Sequence, residues 1–463
     1  MQSKLLALFV ALVCATPALA AQAQVFQPPA SSPESASGNY TGQSNGTISN
    51  GPLVSGKAFD RFIQIWLENT DFATAASSPV FQNLSKEGIL LDSFYAVTHP
   101  SEPNYLAAVA GDFWGLADDA FYHAPQNIST IVDLLDQGNV SWASYQENMP
   151  SDGFTGFNYT QADYITGHDT YTYYVRKHNG LIIHDSVANV SSRAHRIRNF
   201  NDFAADLKAD VIPQWVFVTP NLVNDAHDTT IDFTGDWLNY WLVPLLGEAA
   251  FNDNRTLILL TFDENETYTV NNRIYTLVLG GGVPAHLRGT TDSTYYTHYS
   301  ALSTVEANWE LMSLGRGDTN ATLNNVLAFV ANATGWTNNG LAANASGIPL
   351  TNLTGDIPGP LNSQFYLPFP APNVNGKGAG GKGVFVAAGL NPSATADTLG
   401  APVNLTALGQ TNPWSGNGGI DYTNTSAGPA TTSKASGAAV TVGMRAELLV
   451  VMAGVVLGGV MVL

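Results

Sequence analysis

The chain is poor in cysteine and poor in charge. Of its 463 residues one is cysteine, Cys14, and Asp, Glu, Lys and Arg together make up 12%. Cys14 falls inside an N-terminal stretch with the form of an export signal. Lys4 supplies a positive start, residues 5–14 are apolar, and Ala18-Leu19-Ala20 is an A-x-A cleavage site. Residues 1–20 are therefore expected to be a signal peptide, with a buried N-terminal helix as the alternative. A mature chain without Cys14 has no disulfide, no thiolate ligand and no cysteine nucleophile. Basic residues are scarcer than acidic ones, 18 against 37, giving a formal net charge of -19. Such a surface repels nucleic acid and anionic lipid and excludes both as partners.

What is abundant points to a packed, exported protein. Hydrophobic residues make up 45% and aromatics 10%, enough for a large core. About fifteen N-x-S/T sequons run along the chain, among them Asn83, Asn127, Asn139, Asn158, Asn254, Asn332 and Asn404, so N-glycans are expected. The sequon at Asn265 lies beside an acidic cluster and is expected to be unused. Residues 448–463 are apolar or glycine, preceded by a polar spacer over 439–447 and by the small residues Ser436-Gly437-Ala438. That order suits a GPI-attachment signal over 439–463, and a tail-anchored helix is the alternative. The expected location is thus secreted or at the cell surface.

Between these ends, residues 21–57 are rich in Ser, Gly, Asn and Gln and are expected as a flexible lead-in. The main domain is expected over 58–400, with a C-terminal extension from about 335, and a glycosylated stalk over 401–438. Apolar runs predict strands over 62–67, 88–97, 141–146, 214–219, 256–261 and 275–279. Helices are expected over 103–110, 128–135, 200–208, 237–246 and 300–314. Several of the strands are apolar on both faces, and they alternate with helices. Both features predict an α/β fold, an open, mostly parallel sheet with helices on both faces.

In such sheets ligands bind beyond the carboxyl ends of the strands. Four polar clusters follow predicted strands: Glu68-Asn69, the run from His99 to Asn104, the run from Asn221 to Asp228, and Asp263-Glu264. Ser101 precedes Pro103 at an expected helix start, where free N–H groups attract an anion, although a plain N-cap serine fits as well. Asn104 lies one turn on as a further donor. Glu68 and the pair Asp263-Glu264 are costly to bury without a cation, which suits a hard divalent metal with oxygen ligands; helix capping is the alternative. Metal next to serine can make a nucleophile. His227 and His298 flank the acidic residues and could hold phosphate oxygens or protonate a leaving alcohol, or serve only in packing.

Taken in order, Glu68-Asn69, His99-Pro100-Ser101-Glu102-Pro103-Asn104-Tyr105, Pro220-Asn221-Leu222 with Asn224-Asp225-Ala226-His227-Asp228, Thr261-Phe262-Asp263-Glu264 and His298-Tyr299-Ser300 resemble the phosphoesterase family. That family holds bacterial phospholipases C and acid phosphatases and the secreted acid phosphatases of filamentous fungi. The resemblance covers about residues 58–331 and implies an alkaline-phosphatase-like fold. It implies that Ser101 is a nucleophile forming phosphoserine. It makes Glu68, Asn69, Asp263 and Glu264 ligands of one divalent metal, with Mg, Ca or Mn suggested by oxygen donors. It gives Asn104, His227 and His298 roles in holding phosphate or assisting departure, lets Asp225 and Asp228 orient His227, and counts Asp225 with Asn104 among the substrate-binding residues. Arg176-Lys177-His178-Asn179 resembles a family segment in which proline follows; here Gly180 stands there, so His178 is carried over only as a weaker substrate-binding candidate. Glu264 stands where some relatives have aspartate. The run Ser101-Glu102-Pro103-Asn104-Tyr105 lacks the arginine of the sulfatase motif. The expected activity is hydrolysis of small phosphate monoesters, with phosphodiester or phospholipase C chemistry as the alternative on the same site. A non-catalytic wall glycoprotein is the alternative of another class.

Overall fold

The computed structural model describes residues 25–341 and 357–416. The expected signal peptide, most of the stalk beyond residue 416, and the GPI spacer and tail lie outside them. Eleven strands precede the extension: β1 (Arg61–Leu67), β2 (Ile89–Tyr95), β3 (Trp142–Gln146), β4 (Asn158–Ala162), β5 (Thr170–Val175), β6 (Ile197–Asn199), β7 (Trp215–Thr219), β8 (Thr256–Phe262), β9 (Arg273–Leu279), β10 (Thr290–Asp292) and β11 (Tyr296–Thr297). Nine of them form one sheet in the order β10-β2-β9-β8-β1-β7-β3-β6, with β11 also on β2. All pairs are parallel except those of β9, which runs antiparallel to β2 and to β8. The strand expected over 275–279 therefore reverses the chain. It follows β8 through the short connection 263–272, and an antiparallel neighbour can be reached by such a hairpin where a parallel one needs a crossover.

The central strands are fully buried, as their uninterrupted apolar runs required: β7 and β8 expose no residue. Three helices matter for the site. They are α1 (Ser101–Ala110), α2 (Ile231–Leu245) and α3 (His298–Trp309). Helix α1 starts at Ser101, two residues before the expected start, so Pro100 is the N-cap and Ser101 is the first helical residue. Helix α3 stops at Trp309, because Glu310 takes a left-handed conformation (φ 50°).

Residues 25–57, expected to be flexible, are laid along the domain. Their few apolar groups include the buried Tyr40, and their backbone is matched by polar side chains of the helix Phe200–Lys208. Asn201 accepts from Ser37 N at 2.8 Å and donates to the carbonyls of Ser37, Thr41 and Gly42. Asp202 and Asp206 accept from Asn45 N and Ile48 N, each at 2.7 Å. Buried main-chain groups need partners, and here side chains provide them where composition gave no sign of it. The start of the expected stalk also packs. β13 (Val403–Asn404) pairs antiparallel with β12 (Phe365–Tyr366), and Trp414 lies against His123 and Phe369. Among the described residues no helix is long and apolar enough to cross a membrane.

Candidate active site

The parallel register brings the carboxyl ends of β1, β2, β7 and β8 to one edge of the sheet. Glu68 and Asn69 leave β1, Ser101 follows β2, Asp225 and His227 follow β7, and Asp263 and Glu264 leave β8. Glu68 is the hub. Its carboxylate accepts Ser101 Oγ–H at 3.1 Å on Oε2 and Tyr105 Oη–H at 2.6 Å on Oε1. His178 Nε2 stands 3.1 Å from Oε1, with the imidazole stacked on the Tyr105 ring. The Glu68 N–H donates to the Asp225 carbonyl at 2.8 Å, which ties β1 to the loop after β7. Ser101 is also a near neighbour of the Asp263 carboxylate.

Glu68, Asp225, Asp263 and Glu264 are all buried. Burial raises the pKa of each, and Glu68 raises the other three further by its charge. Lys177 is the cation that recurs beside them and opposes the shift in every case. Burial disfavours its charged form, but Asp119 and Glu68 outweigh this and raise its pKa. Lys177 Nζ donates to Asp119 Oδ2 at 3.0 Å and to His227 Nε2 at 3.2 Å. Lysine has no acceptor, so Nε2 of His227 must be the lone-pair nitrogen. The Nδ1–H then donates to Asp228 Oδ1 at 2.7 Å. Asp228 is held below the usual carboxylate range: its burial works upward, and the bond to His227 overcomes it. In this tautomer His227 accepts a proton and has none on Nε2 to give to a leaving alcohol.

The residues fit a cation. Asp263 Oδ2 and Asn69 Oδ1 are buried without a hydrogen-bond partner. Asn69 Nδ2 donates to Glu264 Oε1 at 2.7 Å, which turns Oδ1 away from Glu264. Asp263 Oδ1 is used by the Glu264 N–H, leaving Oδ2. A second cluster shares Glu68: ligand atoms of Glu68, His178 and His227 lie within 4.8 Å of one another. There the lone pair of His227 already faces the Lys177 ammonium, and a second positive charge beside it is repelled. The unpartnered oxygens of Asn69, Asp263 and Glu264 are the donor set that suits a hard cation.

Three expectations change. Asn104 accepts from Val97 N and Thr98 N at 3.0 and 3.1 Å, and donates to the carbonyls of Thr98 and Pro100 at 2.9 and 3.1 Å. Its amide hydrogens are spent on the turn that presents Ser101, so none is left for substrate. His298 is buried against Trp66, with ring centroids 4.3 Å apart, and its Nε2–H donates to the Asp263 carbonyl at 2.7 Å. Burial lowers its pKa to about 3, and it positions Asp263 from behind. Glu264 has Oε1 on Asn69 Nδ2, while Oε2 faces His99 and, like Asp263 Oδ2, is buried without a hydrogen-bond partner, so it keeps an oxygen that a cation could use. The first turn of α1 is not wholly free for an anion, because Asp119 Oδ1 accepts from Glu102 N at 2.9 Å. Asp225, expected to orient His227, does so through its main chain: Oδ1 accepts the His227 N–H at 2.9 Å.

Sequence reasoning left Tyr105, Asp119 and Glu147 without roles and named Lys177 without one. Tyr105 and Lys177 lay inside quoted motifs, adjacent to or one turn from a named residue. Asp119 had no signal. Glu147, buried at the end of β3, accepts Asn224 Nδ2 and Asn221 N, each at 2.9 Å, and so anchors the loop that carries Asp225 and His227.

Residues 54–312 match the family model described as the phosphoesterase family. An acid phosphatase of Aspergillus fumigatus is 49% identical over 316 residues, which cover 68% of this chain and 67% of that one. A phosphate-repressible acid phosphatase of Penicillium chrysogenum is 44% identical over 332 residues, covering 72% and 77%. Among solved structures, a protein of the alkaline phosphatase superfamily from Vibrio parahaemolyticus aligns at 12% identity over 61% of this chain and 71% of its own, with a TM-score of 0.34.

Proposed function

The chain belongs to the phosphoesterase family, and on that footing we propose that it is an acid phosphomonoesterase that uses Ser101 as its nucleophile. The observation that carries this reading is the Ser101 hydroxyl at the start of α1, directed at Glu68 Oε2 inside a buried acidic pocket. The bond fixes the hydroxyl hydrogen and leaves the Oγ lone pairs for phosphorus. As Oγ attacks phosphorus the bond to the alcohol breaks, and the serine proton ends on the departing alkoxide, giving phosphoserine and the free alcohol.

Glu68, Asn69, Asp263 and Glu264 would hold one divalent cation, which would supply positive charge to depress the serine pKa and to offset the charge of the phosphoryl group. Lys177, fixed by Asp119, is placed to hold phosphate oxygens. His227, with Nδ1 held by Asp228, would keep Lys177 turned toward the phosphate through Nε2. Tyr105 and His178 hold Glu68, while Asn104 and His298 keep Ser101 and Asp263 in position. Export, glycosylation at exposed sequons such as Asn83 and Asn254, and a GPI anchor complete the proposed cell-surface enzyme. Asn265 is buried, with Nδ2 bonded to Asp71 and to the Thr267 carbonyl, so it is left out of the glycosylated set.

A hydrolysis panel tests the reading: p-nitrophenyl phosphate, its bis ester and phosphatidylcholine, each assayed from acid to alkaline pH. Turnover of the monoester with a maximum on the acid side is expected. Preference for the bis ester or the lipid would replace it with the diesterase alternative.

A further inference from the structure

The mouth of the site carries an aromatic side chain that the chemistry above does not use. Tyr268 lies in the β8–β9 connection, four residues beyond Glu264. The base of this loop is pinned. Asp71 accepts from Asn265 Nδ2 at 3.2 Å, from Thr267 N at 2.9 Å and from Thr267 Oγ1 at 2.7 Å. Asn272 accepts Asn265 N at 2.9 Å and donates to the Thr98 carbonyl at 2.8 Å, which ties the loop to the turn before Ser101. On this base the Tyr268 ring stacks over His99, with centroids 3.9 Å apart and planes 26° apart. His99 in turn pairs with Glu264.

One face of the tyrosine is thus covered by His99, yet the residue is 48% exposed, and Val270 beside it is 50% exposed. Its charged neighbours are Glu264, Asp119, Asp263 and Lys177, the groups of the reaction centre. An exposed apolar surface held rigidly against a buried charged site is a preformed contact surface, because ordering it costs nothing further on binding.

We propose that Tyr268 selects the leaving group, its outer face stacking on a planar aromatic alcohol while phosphorus lies at Ser101. The enzyme then prefers aromatic phosphate monoesters over aliphatic ones of equal bulk. This rests on the reading of the site as a phosphomonoesterase. Offset stacking adds about 0.5–1.5 kcal/mol beyond area burial, which corresponds to a preference of about two- to twelvefold.

The test compares benzyl phosphate with cyclohexylmethyl phosphate, which both release a primary alkoxide and differ in the flatness of the ring. Steady-state kinetics are measured for wild type, Tyr268→Phe, Tyr268→Trp and Tyr268→Ala, with thermal midpoints as a check on folding. Wild type is expected to favour the benzyl ester several-fold, through KM and not kcat. The Phe and Trp variants should keep the preference and the Ala variant should lose it. Equal efficiencies in wild type, an unchanged ratio in Tyr268→Ala, or loss of the ratio in Tyr268→Phe would each overturn the proposal. The Phe and Trp variants keep it testable if the Ala variant does not fold. Failure of wild type to hydrolyse either ester would instead remove the phosphomonoesterase reading on which it rests.

Discussion

Ser101 and Glu68 meet at the sheet edge through one hydrogen bond of 3.1 Å, and the geometry of α1 doubles the link. Tyr105 lies four residues beyond Ser101 on the same helix face and donates to the other oxygen of Glu68 at 2.6 Å. A single carboxylate from β1 is thereby held by two hydroxyls from one helix, which fixes the serine against the acidic cluster.

Metal and activity should fall together when a cradle oxygen loses its charge. Glu68→Gln and Asp263→Asn are each expected to lower bound divalent metal and to reduce kcat by at least tenfold, since an anionic ligand is lost from a hard-cation site. Elemental analysis of the purified variants beside their kinetics checks this. Wild-type protein that carries no metal and is indifferent to prolonged chelation would contradict it.

Lys177→Met should weaken the hold on phosphate. Removing a fixed donor from a developing oxyanion costs about 10²–10³ in kcat in comparable sites. The Ki of inorganic phosphate should rise as well, because the ammonium acts on bound product too. A variant with unchanged Ki and kcat would mean that Lys177 serves only to pair with Asp119.

Asn104→Ala separates support from substrate contact. Four hydrogen bonds to the turn 97–100 are lost, and buried groups left unpaired cost about 1–3 kcal/mol each. Denaturant unfolding should show a loss of several kcal/mol. A direct phosphate donor would instead give near-normal stability and a raised KM.

Glu147 should add more to stability as the medium becomes acidic. Burial pushes Glu147 up to about 7 from an ordinary 4.5, so the folded state binds its proton more tightly than the unfolded chain. Burial, reinforced by Asp202, raises Asp152 as well. For a raised carboxyl group, stability is lost as pH climbs from the unfolded value through the folded one. The window for Glu147 is therefore about pH 4.5 to 7, and its contribution is at most about 3 kcal/mol. On going from pH 8 to pH 5, the urea midpoint of the metal-free wild type should move further toward stability than that of Glu147→Gln. An equal or smaller shift in wild type would contradict it.

The sheet was legible because its strands are buried on both faces and leave no doubt of period: 214–219 and 256–261 read as strands and became β7 and β8. The site was legible at those positions where a polar pair ends an apolar run, as at Glu68 and Asp263. What sequence could not show is which polar atom remains free after its neighbours are served. Asn104 and His298 are as polar as Ser101, yet their hydrogen bonds go to the Pro100 and Asp263 main chain. The segment 25–57 was misjudged for the same reason: its order comes from Asn201, Asp202 and Asp206, far along the chain.

The central claim is that Ser101 carries the phosphoryl group. Wild-type enzyme turning over a ³²P-labelled monoester is quenched in acid, digested, and its labelled peptide identified; Ser101→Ala is treated in parallel. Label is expected on the serine of the peptide containing Ser101. The alanine variant should be nearly as stable as wild type, because a lost helix-terminal hydroxyl costs about 1 kcal/mol. Its kcat should be lower by several orders of magnitude, on the order of 4 kcal/mol or more of barrier. Retention of more than about a tenth of the wild-type rate by Ser101→Ala, which is less than about 1.4 kcal/mol of barrier, or absence of acid-stable label from the peptide containing Ser101, would contradict the account.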